Sequence, residues 1–151
     1  MHLKYSGAVM LVIPANELNV SVKLIEQASQ TEGQIVMQGD FHITLMSVAA
    51  MKPYRAGLCW KGKTIMLENP PPSFPINFTD SLNYVEEVDG KSSTFVLCDA
   101  ETQQKLHEYV KELMFYFGVN ENEAEREGCY HVSLSSKTGK TSDAFGPIWT
   151  L

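Results

Sequence analysis

"GDFHITLM", residues 39–46, decides how the chain is to be read. Phe41, Ile43 and Leu45 fall on one face of a strand, and His42 and Thr44 on the other. The apolar face belongs against a core. The opposite face sets an imidazole beside a hydroxyl; alone, such a histidine reads as a core residue bonded to a neighbouring strand, and only a matched pair points to chemistry. The same pattern returns in "CYHVSLSS", residues 129–136, where Tyr130, Val132 and Leu134 alternate with His131, Ser133 and Ser135.

Working outward, each motif ends a similar unit. The first opens with "GAVMLVIP", an apolar strand stopped by Pro14. "ANELNVSVKLIEQASQ" follows, with Leu18, Val22, Ile25 and Ala28 at helical spacing. A polar stretch through Gly33 then leads to "DFHITLM". The second opens with "STFVLCD", another strand. Asp99 is suited to cap a helix, with Glu101 in its first turn. Leu106, Tyr109, Val110, Leu113, Met114 and Phe117 share one face of that helix, and Gly118 stops it. An acidic loop, "NENEAEREG", precedes the second motif and reads as solvated. Two pseudo-repeats, residues 7–46 and 93–135, therefore run strand, helix, loop and His-bearing strand. Approximate two-fold symmetry is expected to bring the two His strands together at the junction of two lobes, where clefts form.

The segment between the repeats reads as antiparallel strands. "GLCW" and "KTIML" flank a turn at Lys61-Gly62. Pro70, Pro71, Pro72 and Pro75 mark a loop, and Asp89-Gly90 is a hairpin signal between "INFTDSLNYVEEV" and "SSTFVLC". The tail from Thr138, which includes Trp149, is turn-rich. The fold class expected is α+β: one domain over residues 1–151, two pseudo-symmetric lobes of antiparallel sheet with helices outside and a central cleft.

Composition narrows the function. The chain has 151 residues, 44% hydrophobic and 20% charged, which suits one globular domain with its own core. Its formal net charge of −6 disfavours binding to long nucleic acid, which needs many cations against phosphates. Any nucleotide must be recognised locally, in a pocket. The three cysteines, Cys59, Cys98 and Cys129, form no C-x-x-C pair and read as reduced thiols. The apolar run from Ala8 to Ile13 is too short to span a membrane, and no cleavage site follows it. A cytoplasmic monomer without membrane contact is the expectation. His107 falls beside Gln103, Gln104 and Lys111 on the wet face of the second helix, and His2 at a fraying terminus. No carboxylate or second imidazole stands at ligand spacing to His42 or His131, so neither a metal nor another cofactor is expected.

"GLCWKGKT", Gly57 to Thr64, matches the P-loop pattern. That mechanism needs a helix after the loop, to present backbone N–H groups to phosphate. Only "IMLEN" follows before three prolines, so a strand is expected there instead.

Two of four histidines each opening His-x-Ser/Thr-Leu is roughly a one-in-a-thousand coincidence. On His42-Ile43-Thr44-Leu45 and His131-Val132-Ser133-Leu134, with the opening "VMLVIP" and the helix before the second motif, the chain resembles the two-histidine phosphoesterase superfamily. The resemblance spans roughly residues 7–137 and is weakest in the middle. It implies a bilobal α+β fold and metal-independent cleavage of nucleotide phosphodiesters: 2′,3′-cyclic phosphates, 2′-5′ links, or cyclic oligonucleotides such as those some viral members destroy. It assigns His42 and His131 as the acid–base pair, and Thr44 and Ser133 as donors to the phosphate. One deviation stands out: where the family often has an arginine after the second motif, this chain has Ser136. Lys137, Tyr54, Arg55 and Trp60 are the candidates for holding the rest of a small nucleotide or oligonucleotide substrate. The alternative is a module of the same fold that sequesters a cyclic nucleotide or RNA end without cutting it.

Overall fold

The computed structural model describes residues 1–54, 61–88, 90–120, 129–141 and 144, with the side chains of 86–88 left undescribed. Strands β1 (His2–Tyr5) and β2 (Val9–Ile13) are followed by α1 (Val22–Gln30), β3 (Ile35–Val36), β4 (Phe41–Met46), α2 (Val48–Met51) and β5 (Ile65–Leu67). Then come β6 (Asn83–Val88), β7 (Lys91–Leu97), α3 (Ala100–Phe117) and β8 (His131–Ser136). The strands form two antiparallel four-stranded sheets, ordered β4-β2-β1-β5 and β3-β8-β7-β6. No described helix is long and apolar enough to cross a membrane.

The two sheets repeat one topology. A hairpin (β1–β2, β6–β7) is followed by a helix (α1, α3). The next strand (β4, β8) then pairs beside the hairpin's second member. Each unit thus begins one strand earlier than the sequence suggests. β1 escapes a sequence reading because four residues are too few for periodicity to separate strand from coil. Its alternation is nonetheless complete: Leu3 and Tyr5 are fully buried, while His2 and Lys4 lie on the other face. His2 is therefore not at a fraying end but paired with Val12.

α1 also departs from expectation. Ala15–Glu17 make a short 3-10 turn after Pro14, and the helix begins only at Val22. Ser21 is the cap, its hydroxyl accepting from the Leu24 N–H at 3.4 Å. The inward face is consequently Leu24 and Ala28, and Val22 is exposed. α3 follows the sequence closely. The Asp99 carboxylate accepts from the Thr102 N–H at 2.8 Å, and Gly118 closes the helix in the left-handed region, at φ 72°. Leu106, Val110, Leu113 and Met114 are buried.

Side chains from both sheets meet in one continuous core that includes Leu3, Leu11, Ile43, Leu45, Val96, Leu106, Val132 and Leu134. β6 leads into β7 with Val88 paired to Lys91 and a turn at Gly90, at φ 77°; Asp89, the other half of the expected hairpin signal, lies outside the described residues. β5 pairs with β1, whereas its expected partner "GLCW" lies outside the described residues, as do 121–128 of the acidic loop. The P-loop look-alike leads into β5, a strand and not a helix.

A buried polar cluster fixes the edge of the second sheet. The Gln34 amide donates to Ser92 Oγ at 2.6 Å, and Ser135 Oγ donates to Gln34 Oε1 at 2.9 Å. Thr94 Oγ1 shares a 2.6 Å bond with Ser135 Oγ. Gln34→Ala removes a partner from the buried hydroxyls of Ser92 and Ser135, the latter keeping Thr94, so it is expected to lower the unfolding free energy by about 1–3 kcal/mol. Urea denaturation monitored by fluorescence reads this loss.

Candidate active site

β4 and β8 lie against each other, and each presents its polar face to one cavity of about 260 Å³. His42, Thr44, His131 and Ser133 all line it. Backbone pairing places each of them. His42 stands opposite Val12 and Thr44 opposite Met10 on β2, while His131 stands opposite Leu97 and Ser133 opposite Phe95 on β7. Ile43 and Leu45 are buried on the other face of β4, and Val132 and Leu134 on that of β8, so the alternation holds around both motifs; Phe41 is buried too but borders the cavity. Met37, Phe41 and Ala144 supply apolar wall, Asp40 and Thr141 polar wall.

The two imidazoles differ in their surroundings. Lys4 Nζ donates to His42 Nε2 at 2.9 Å. An ammonium has no acceptor, so Nε2 must hold a lone pair and the ring proton sits on Nδ1. Thr141 Oγ1 lies 3.4 Å from that Nδ1, a long contact. Burial, the Lys4 charge and, more weakly, His2 pull the pKa of His42 down to about 4, against the opposing pull of Asp40. His131 is packed edge-on against the Phe95 ring, with centroids 5.5 Å apart. Burial lowers its pKa as well, and the Cys129 backbone opposes the shift. Its buried Nδ1 makes no hydrogen bond of good geometry among the described residues.

Gln103 positions the second motif. Its amide oxygen accepts from the Tyr130 N–H and its amide nitrogen donates to the Tyr130 carbonyl, both at 2.7 Å. The residue next to His131 is thereby clamped to α3. Sequence placed Gln103 on the wet face of that helix; it is half-buried instead, as is His107. The fully buried Tyr130 ring packs in the core as expected. Cys98 and Cys129 stand beside the site. Burial raises both thiols, Cys98 to about 12, which disfavours their thiolate forms.

Of the substrate-holding candidates, none lines the cavity among the described residues. Lys137 is exposed on the turn after β8. The Tyr54 ring packs on the core, and its hydroxyl accepts from the Asn120 N–H at 3.2 Å. Arg55 and Trp60 lie outside the described residues. Conversely, Lys4, Asp40, Gln103 and Thr141 were not singled out from sequence. Lys4 carried a faint signal, alternating with Leu3 and Tyr5, but its meeting with His42 needs the strand order. Among the described residues, no three His, Cys, Asp or Glu side chains cluster as a metal site.

Compared with protein-family models, with curated proteins and with solved structures, the chain matches none.

A histidine whose folded pKa is depressed binds its proton more readily when unfolded. Stability contributed by His42 is thus fully present above about pH 6.5 and is lost as pH falls toward about 4. Thermal unfolding across this window is expected to show a falling Tm. The slope should be shallower in His42→Gln; an equal slope would mean that His42 is not held neutral.

Proposed function

We propose that the chain is a metal-independent phosphodiesterase of the two-histidine type, acting on a nucleotide 2′,3′-cyclic phosphate, a 2′-5′ link or a cyclic oligonucleotide. The observation that carries this reading is that both His-x-Thr/Ser pairs, distant in sequence, line one cavity. In it, the two sheets are the pseudo-symmetric lobes of a bilobal fold and the cavity is the cleft between them.

The chemistry suits the residues. Cleaving a phosphodiester requires a proton taken from the attacking oxygen and another given to the leaving ribose oxygen. Imidazole does both near neutral pH, at about 10²- to 10⁴-fold per group. The hydroxyls of Thr44 and Ser133 donate to non-bridging oxygens, where charge builds in the transition state. Apolar wall around the cleft strengthens these bonds by excluding water. At about 260 Å³ the cavity lies just below the usual range of roughly 300–1,000 Å³ for ligand pockets. It fits a phosphodiester with part of a nucleotide, which suits a small substrate; a cytoplasmic monomer is part of the same proposal.

Incubation with EDTA and a panel of 2′,3′-cyclic mononucleotides, 2′-5′ dinucleotides and cyclic di- and trinucleotides tests the reading. One class should be hydrolysed, with turnover falling about 100- to 10,000-fold in His42→Ala and in His131→Ala. Thr44→Ala and Ser133→Ala should each cost about 100-fold or more, mainly in kcat. Intact ligand recovered from a tight complex would instead make the protein a sequestering module.

A further inference from the structure

We propose that Lys4 breaks the symmetry between the two histidines: its ammonium, 2.9 Å from His42 Nε2, keeps that nitrogen in its lone-pair form, making His42 the general base and leaving His131 as the acid. This assignment rests on the phosphodiesterase reading above. It stems from sheet register. β1 and β4 both flank β2, so His2, Val12 and His42 form one row across the sheet, and Lys4, Met10 and Thr44 the next. All six side chains share a face, because paired residues in an antiparallel sheet point the same way. Lys4 therefore reaches His42 diagonally, over the intervening strand. Among the described residues no carboxylate pairs with Lys4, which leaves its charge to act on the imidazole and on an incoming phosphate.

The groups acting on His42 are Lys4 and His2 from β1, Asp40 from the segment entering β4, and the Thr141 hydroxyl. Those at His131 are the Phe95 ring and the Cys129 backbone; no cation is among them. An anionic phosphate bound between the rings makes both easier to protonate. At His42 the Lys4 charge offsets this. At His131 burial opposes protonation but no cation does, so the proton that binding brings settles there.

The step then balances. On phosphate binding the Lys4 ammonium shifts its hydrogen bond from His42 Nε2 to a non-bridging oxygen, which frees the single Nε2 lone pair. Water then attacks phosphorus and its proton passes to Nε2 as the new P–O bond forms. The P–O bond to the leaving ribose oxygen breaks as that oxygen takes a proton from His131. On its non-bridging oxygen the ammonium meets the growing negative charge. The two rings return to their starting forms by exchange with solvent.

Imidazole ¹⁵N NMR titrations of the wild type, Lys4→Met and Lys4→Arg, paired with pH profiles of kcat/KM, test this. In Lys4→Met the His42 midpoint should rise by about one pH unit or more, and the acid limb of the profile should move with it. The His131 midpoint should stay, and Lys4→Arg should retain wild-type behaviour in both readouts. Lys4→Gln serves in the same way if the methionine variant does not fold. An active enzyme whose His42 midpoint and acid limb ignore Lys4, or whose His131 midpoint moves as far, overturns the role of Lys4 alone. A wild type inert on every nucleotide overturns the phosphodiesterase reading, and the base and acid assignment with it, even where Lys4 and His42 titrate together.

Discussion

Strand register is the constraint on which the site depends. A strand's side chains alternate with a period of two, so a slip of one residue in β4 against β2 would drive His42 into the core and Ile43 into the cavity. Burial prevents this. Ile43, Leu45, Val132 and Leu134 are fully buried, and each of these side chains contributes about 1.5–3 kcal/mol when removed from water. The same hydrophobic contacts that stabilise the fold thus aim both imidazoles and both hydroxyls. The bulge between Thr94 and Phe95 adjusts the pairing of β7 with β8, and the paired side chains of Phe95 and Ser133 stand beside His131.

Electrostatics then differentiates what topology makes alike. The chain is acidic overall, with formal net charge −6. Within the site, however, a lysine touches one histidine while the other meets a phenyl ring and a backbone group. Partial burial gives these few charges more force than they would have in water, where a single ion contact is strongly screened. In the proposed reading, such a cleft would select its substrate by local fit and not by the long-range field of the molecule.

Much of this was legible in the sequence because it is local. The two faces of β4 and β8, the Asp99 cap and Gly118 stop of α3, and the turn at Gly90 each follow from residue chemistry at fixed offsets. What was not legible depends on partners distant along the chain. β1 is a strand because β2 and β5 flank it, not because four residues declare it. α1 starts late because Ser21 caps it and Pro14 leads into a 3-10 turn, which a spacing count from Leu18 overlooks. Lys4 meets His42 only through strand order, and Gln103 looks solvent-facing until the segment entering β8 is laid against its helix. Lys137 was weighed for its closeness to the second motif in sequence; one residue beyond the strand end it is on an exposed turn.

The central claim is that two imidazoles act on one phosphorus atom. A crystal structure with a nucleoside vanadate, which mimics the five-coordinate transition state, tests it most directly. The account predicts a single vanadium centre, with His42 and His131 each within hydrogen-bond distance of opposite apical oxygens and Thr44 and Ser133 on equatorial ones. Vanadate held by one histidine alone, or bound elsewhere on the protein, would contradict it.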